Sequence, residues 1–451
     1  MNGSTKQIIT RFPPSPTGFL HIGRARTALF NYLFAKQNGG KMLFRFEDTD
    51  PARSKKEYEQ NIIESLEWLG IKWDSPVITR QTERTGIYKT HLKKIIESGH
   101  AYLSKETPTK VGERDEVIRF KNPNKKIIFT DLIRGEVSFD TTDLGDFIIA
   151  RSVEEPLYHL AVVVDDFEMG ITHVIRGEDG ISNTPRQILI QEAIGAPRPV
   201  YAHIPLILAP DKSKLSGRYG AVGVTEYKNM GYLPEAIINY LALLGWNPGT
   251  EQEIFSLEEL VKKFDLSKVQ KGGAIFDTAK LDWINKEWMK KITNYELRIT
   301  NEIKKILNLK ENEKTEEVLE KVVPLVLERI NKLGDIKAMA DGGELTYFFS
   351  APKYEPNLLV WKKGGDVPST KKHLASVASA LEKVNEKNWT KESVKEALWS
   401  YAEKEGRGNV LWPLRVALSG QEKSPDPFTL AEVLGKEEVL ARIQTATSIL
   451  G

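Results

Sequence analysis

The chain has 451 residues and balances 64 Lys and Arg against 62 Asp and Glu, a net charge of +2. It is therefore no general polycation, and any nucleic-acid binding needs a local basic face. The complete absence of cysteine excludes disulfides, iron–sulfur clusters, thiolate zinc sites and cysteine nucleophiles.

At ~150 residues per domain the length implies about three domains, and a hydrophobic content of 40% supplies their cores. The opening MNGSTKQIIT shows no secretory signal, and no apolar run approaches the ~18 residues of a membrane span. A cytoplasmic protein without membrane contact is expected. KQIITRF reads as a strand, followed by the stiff loop PPSPTGFLH. From Gly23 a helix fits, with Ala25, Ala28, Leu29, Tyr32 and Leu33 on one face, and Gly39-Gly40 ends it. KMLFRF is a second strand. Ser54, with Glu57 three residues on, predicts a capping box for the next helix, whose stripe is Tyr58, Ile62, Leu66 and Leu69. This alternation is the start of a doubly wound parallel sheet.

From about 101 to 155 the short segments EVIRF, KIIFTDLI, GEVSFD and DFIIAR predict a β-rich insertion. Mixed α/β character returns with LYHLAVVVDDFEMG, HVIRG and NTPRQILIQEAIG. Beyond HIPLILAP and the basic stretch SKLSGRYG the pattern is helical to the end, with one break in APKYEPNLLVWKKGGDVPST. The expected divisions are 1–80 and 157–220 for the two halves of a catalytic domain and 81–156 for the insertion. Residues 221–300 form a stem-contact domain and 301–451 a helical region, with a break near 351–370.

The stretch from Arg11 to Arg24, RFPPSPTGFLHIGR, carries the strongest chemistry. Prolines stiffen the loop, Gly23 admits a ligand to the backbone, and the helix N-terminus offers free N–H groups to phosphate. His21 is placed to donate to a phosphate oxygen. His-x-Gly alone would be an ordinary helix cap; the loop around it makes the phosphate reading the stronger one.

Further along stand ARTALFNYLFA, FRFEDTDPAR, QTERTGIY, DLIRGEVSFD, DFIIARS, YHLAVVVDD, GITHVIRGED, SNTPRQ, NYLALLGWNP and PLRVALSG. In this order they resemble the motifs of the class I aminoacyl-tRNA synthetases, and among them the bacterial glutamyl-tRNA synthetases, over nearly the whole chain. The resemblance implies an α/β fold, a Rossmann-type doubly wound catalytic domain with a β-rich insertion, followed by all-α C-terminal domains. It implies ATP-dependent ligation of L-glutamate to tRNA-Glu through a glutamyl-adenylate, with ATP bound as its Mg²⁺ complex, no zinc, and a monomer.

Carried over residue by residue, His21 and Gly23 would hold the triphosphate together with Lys214, Ser216 and Arg218 of the second signature. Arg11, Arg176 and the Tyr158 hydroxyl would face the glutamate side-chain carboxylate, and Glu47 with Ser15 the ammonium. Arg329, Arg415 and Phe428 would meet the anticodon. Taken singly, Arg11 and Arg176 are better explained as surface ion pairs, Glu47 with Asp48 and Asp50 as a solvated acidic turn, and Tyr158 as a core aromatic; the ordered series of motifs turns the balance toward function. Helical arginines are commonly solvated, and a lone phenylalanine is commonly core.

Three departures stand out. Gly217 replaces the second lysine of KLSKR, so Lys212, Lys214, Arg218 or Arg24 would have to cover the pyrophosphate charge. Gly180 stands where most of the family has histidine. AYLSKE lacks the Cys-x-Cys of zinc-bearing relatives. The first two motivate an alternative, a catalytically weakened relative acting as an RNA-binding protein.

Overall fold

The computed structural model describes residues 7–107, 115–213, 215 and 222–451. The chain forms two compact units, Met1–Met289 and Lys290–Gly451.

In the first unit β1 (Ile9–Phe12) leads through the proline loop into α1 (Ile22–Gln37), followed by β2 (Lys41–Phe46), α2 (Lys56–Trp68) and β3 (Thr79–Arg80). The three strands pair in parallel in the order β1-β2-β3. Gly40 is required by close packing, since a Cβ there would lie 2.2 Å from the Ile8 carbonyl oxygen. The capping box expected at Ser54 does not form. Lys55, in extended conformation, occupies the N-cap position, one residue later, and the Ser54 hydroxyl is buried without a partner. The chain is held there by its backbone: Ser54 N–H donates to Asp50 O and Lys55 N–H to Pro16 O, both at 3.0 Å.

After α3 (Thr85–Glu97) come β4 (Ala101–Lys105), β5 (Glu116–Phe120), β6 (Lys126–Asp131), β7 (Gly135–Asp140), β8 (Phe147–Ser152) and β9 (Glu155–Pro156). The insertion is β-rich as its alternation implies, but it divides. Strands β4-β5-β8-β9 make one antiparallel sheet, while the β6–β7 hairpin leaves it. Next along the chain are α4 (Tyr158–Glu168), β10 (His173–Gly177), α5 (Thr184–Ala193) and β11 (Val200–Ile204). The hairpin extends this second part in the order β10-β11-β6-β7, with Tyr201 of β11 opposite Asp131 of β6. The two halves meet where Thr172 N–H donates to Ile9 O at 2.9 Å.

The unit closes with β12 (Ile207–Leu208), α6 (Val224–Asn229), α7 (Pro234–Leu243), α8 (Leu257–Lys263), β13 (Ala274–Ile275) and most of α9 (Thr278–Lys291). Helix α1 packs against β1 and β2 and against α7 and α8, so it buries more than its predicted stripe. Its buried polar residues are anchored on backbone: Arg26 donates to Leu244 O at 2.9 Å and Asn31 to Ile175 O at 2.9 Å.

The second unit is helical: α10 (Tyr295–Leu307), α11 (Glu313–Arg329), α12 (Asp335–Asp341), α13 (Val367–Glu382), α14 (Lys391–Glu405), α15 (Arg407–Ser419), α16 (Pro427–Leu434) and α17 (Lys436–Ile449). Between α12 and α13 lie only short 3₁₀ turns. Asp366 and Asp426 cap α13 and α16 through their carboxylates, and Gly420 ends α15 at φ 67°, a left-handed turn suited to glycine. Among the described residues no helix is long and apolar enough to cross a membrane.

Candidate active site

A cavity of about 500 Å³ opens beyond the C-terminal ends of β1 and β10, where ligands sit in open α/β sheets. It brings together Arg11, Ser15, His21, Gly23, Glu47, Tyr158 and Arg176 from four stretches of chain. Leu215 also lines it, whereas Lys214, Ser216 and Arg218 lie outside the described residues.

On one side His21 is the N-cap of α1, and its Nδ1 accepts the Arg24 N–H at 3.3 Å. The proton of the neutral ring is then on Nε2, the nitrogen able to donate. A Cβ at Gly23 would stand 3.1 Å from the His21 ring, so the glycine makes room for the imidazole. Arg24 lines the same cavity and donates to Ser15 O at 2.9 Å. Burial holds its pKa below the ordinary arginine value, opposed by the more distant charges of Glu47 and Asp179.

Neither Arg11 nor Glu47 is a surface group. Arg11 is 2% exposed and Glu47 8% exposed, and both belong to a buried charge cluster. Arg45, fully buried on β2, donates to Glu47 Oε1 and to Asp166 Oδ1, each at 2.9 Å. Asp166 also accepts from Arg11 Nε at 3.2 Å. Its neighbour Asp165 lies 3.5 Å from Arg45 Nε and accepts from Arg84 Nε at 2.7 Å, Gln81 at 2.9 Å and the Tyr88 hydroxyl. Burial opposes ionisation of Asp166, but Arg11 and Arg45 outweigh it and hold the carboxyl below its usual range. At Glu47 burial wins over Arg45 and pushes the carboxyl up. Arg11 Nη1 remains buried without a partner. Asp48 accepts from Thr82 N–H at 3.0 Å and from its hydroxyl, and Asp50 pairs with Arg53, so these two acids serve the loop.

The opposite wall is built differently. Arg176, on β10, donates from Nε to His203 Nε2 at 3.1 Å, from Nη1 to Gln187 Oε1 at 2.8 Å and from Nη2 to Thr184 Oγ1 at 2.9 Å. All three acceptors are uncharged, and among the described residues no carboxylate pairs with it. Burial lowers its pKa, with the distant Tyr158 hydroxyl pulling the other way. The departure at Gly180 belongs to this arrangement: a Cβ there would lie 2.7 Å from Arg176 Nε. Tyr158, the first residue of α4, is 40% exposed and is not a core aromatic.

Arg45, Asp166, His203, Thr184 and Gln187 escape a reading by motif. The signal for the first two was present, since an arginine between phenylalanines in FRF and paired acids in an apolar helix, VVVDD, must find partners when buried. Nothing local signals the rest.

In the second unit Arg329, at the end of α11, is paired with Glu344. Arg415 on α15 keeps a buried Nε without a partner. Phe428, expected to offer a face for stacking, is 5% exposed, with its ring 6.3 Å from that of Trp399. It is a core side chain in the first turn of α16, where Asp426 accepts its backbone N–H and the ring packs inward. Trp399 instead carries the cations, with Arg407 4.5 Å and Lys395 4.8 Å from its centroid.

Comparison with known proteins bears on both units. The family of class I tRNA synthetases (E and Q), catalytic domain, matches residues 7–116 and 108–283, and an anticodon binding domain matches 287–447. The chain is 42% identical to a glutamate–tRNA ligase of Aquifex aeolicus over 97% of its own length and 98% of the relative's. It is 39% identical to one of Desulforamulus reducens, covering 97% and 99%. A crystal structure of a glutamate tRNA ligase from Elizabethkingia meningosepticum in complex with its amino acid matches with a TM-score of 0.85 at 34% identity, covering 99% and 100%.

Proposed function

The chain belongs to the glutamate–tRNA ligases of the class I synthetases, and from that premise we propose that the cavity activates glutamate as its adenylate. An α-carboxylate oxygen of L-glutamate attacks the α-phosphorus of Mg²⁺-ATP, and pyrophosphate leaves with the electrons of the broken P–O bond. A terminal adenosine hydroxyl of tRNA-Glu then attacks the acyl carbon and releases AMP. Such in-line chemistry asks the protein for position and charge rather than for a covalent intermediate.

One observation carries the reading: Arg176 is a partly buried cation held, among the described residues, only by neutral acceptors. Burying an uncompensated charge is costly, and a substrate carboxylate supplies the missing partner. Arg11, though its charge is met by Asp166, leaves Nη1 without a hydrogen-bond partner, and the Tyr158 side chain borders the same space. Glutamine would leave this cation unneutralised, and sites of this kind reject an analogue by about 10⁴-fold or more. Glu47 takes the ammonium, helped by Ser15, while His21 and the N–H groups around Gly23 hold phosphate oxygens. The second unit contributes to tRNA, with Arg329 and Arg415 as candidate contacts.

Glutamate-dependent ATP–pyrophosphate exchange, run with and without tRNA, tests the proposal. Exchange that requires glutamate is expected. Its absence under both conditions would leave an RNA-binding role instead.

A further inference from the structure

Arg176 does not hold its own orientation. Strands β10 and β11 run in parallel with Arg176 opposite His203, and β6 lies beyond β11, carrying Asp131. His203 is 0% exposed and Asp131 1% exposed. His203 Nδ1 lies 2.6 Å from Asp131 Oδ2, and Nε2 lies 3.1 Å from Arg176 Nε. A guanidinium N–H can only donate, so Nε2 must be an unprotonated acceptor. The ring proton is therefore on Nδ1, donated to Asp131.

Asp131 is fixed in turn. Its Oδ1 accepts the backbone N–H groups of Ile133 at 2.9 Å, Arg134 at 2.8 Å and His203 at 3.3 Å. The other groups facing His203 leave this proton arrangement undisturbed. From α5 come the Thr184 hydroxyl, 3.3 Å from Nε2, and the Gln187 amide on Arg176. Arg134 donates to the His203 carbonyl at 3.3 Å and is itself paired with Glu178. The Tyr201 ring stacks with its centroid 6.1 Å away. Burial and the nearby arginines keep the imidazole below its ordinary pKa, although Asp131 pulls it upward.

We propose that Asp131 and His203 form a positioning dyad for the glutamate site: Asp131 selects the Nδ1–H tautomer of His203, and the unprotonated Nε2 sets the plane of the Arg176 guanidinium. Protonation of Nε2, or the opposite tautomer, would turn a donor against a donor and release the arginine. The inference deepens the proposed function and rests on Arg176 meeting the substrate carboxylate. It also gives the β6–β7 hairpin a part in amino-acid recognition, through one carboxylate reaching across a sheet.

The full-length chain, labelled with ¹⁵N-histidine, should show one buried ring in the Nδ1–H form throughout the neutral range, lost in His203→Gln. A ring assigned to His203 that carries its proton on Nε2, or on both nitrogens, overturns the dyad. Pyrophosphate-exchange kinetics supply the functional readout. Asp131→Asn should raise KM for glutamate about tenfold, the size of one charged hydrogen bond, with KM for ATP and kcat at saturating glutamate little changed. His203→Gln, whose amide oxygen can accept from Arg176, should recover most of what His203→Leu loses. Equal losses in those two variants, or glutamate and ATP constants rising together, would sink the proposal. Arg176→Lys separates the two readings: if it leaves KM for glutamate unchanged, the carboxylate assignment fails while the tautomer result stands by itself.

Discussion

The two walls of the cavity spend charge in opposite ways. On the β1–β2–α4 side, Arg11, Arg45 and Arg84 face Glu47, Asp165 and Asp166, so the cations and carboxylates cancel inside a buried network. On the β10–α5 side, Arg176 is held by an imidazole, an amide and a hydroxyl, and its charge stays whole. A balanced network fixes geometry but projects little net field. An uncancelled guanidinium is expensive to bury and therefore selects an anion. The same residue type thus has its charge cancelled on one wall and left whole on the other, according to its partners.

Removing the centre of the balanced wall should have the largest effect. Arg45→Met leaves three buried carboxylates short of a cation, and breaking buried pairs of this kind costs about 3–5 kcal/mol. Urea unfolding of the full chain should show the first unit melting at a much lower midpoint. A shift near zero would mean that the network is not what holds this wall. Arg176→Met should do the reverse, weakening function and sparing the fold. KM for glutamate should rise about 10- to 100-fold, the worth of a charged hydrogen bond or two, with the unfolding midpoint unchanged or higher. A loss of stability comparable to that of Arg45→Met would erase the distinction between the walls.

Gly180→Ala is a milder probe of the same arginine. Its new Cβ would press on Arg176 Nε at 2.7 Å, so the guanidinium must leave its clamp. About a tenfold rise in KM for glutamate, without a matching rise for ATP, is expected from the loss of one such bond. An unchanged KM would show that Arg176 works from more than one position. The smallest effect is the acid limb of glutamate binding. Burial raises the Glu47 pKa, and only the ionised form accepts an ammonium. KM for glutamate should therefore climb as pH falls through that raised value, starting above the range in which an ordinary carboxylate titrates. A KM that stays level until the ordinary range would remove Glu47 from the ammonium site.

Much of this was legible locally. The Pro-rich loop ending in His21-Ile22-Gly23 lies at the start of α1, where the residue types place it. The alternation of EVIRF, GEVSFD and DFIIAR yields β5, β7 and β8. Arg11, Glu47, Tyr158 and Arg176 were each open to a bland reading, and only their convergence on one cavity sets them apart. Ser54 shows the limit of a local rule: its spacing to Glu57 satisfied a capping box, yet backbone bonds to Asp50 and Pro16 moved the helix start by one residue. Phe428 shows the same limit in the second unit: sequence left it open between a core ring and a stacking face, and packing near Trp399 made it core.

The sequence by itself determined most of the elements, the proline-rich loop before α1 and the set of charged residues available, because periodicity, caps and turns act over a few neighbours. Tertiary structure alone decided which charges cancel. Arg45 meets Asp166 across 121 positions and Asp131 meets His203 across 72, and those encounters depend on strand order and on the hairpin joining β11. Whether an arginine is neutralised or keeps its charge whole is a property of distances of a few ångströms, and no spacing along the chain encodes them.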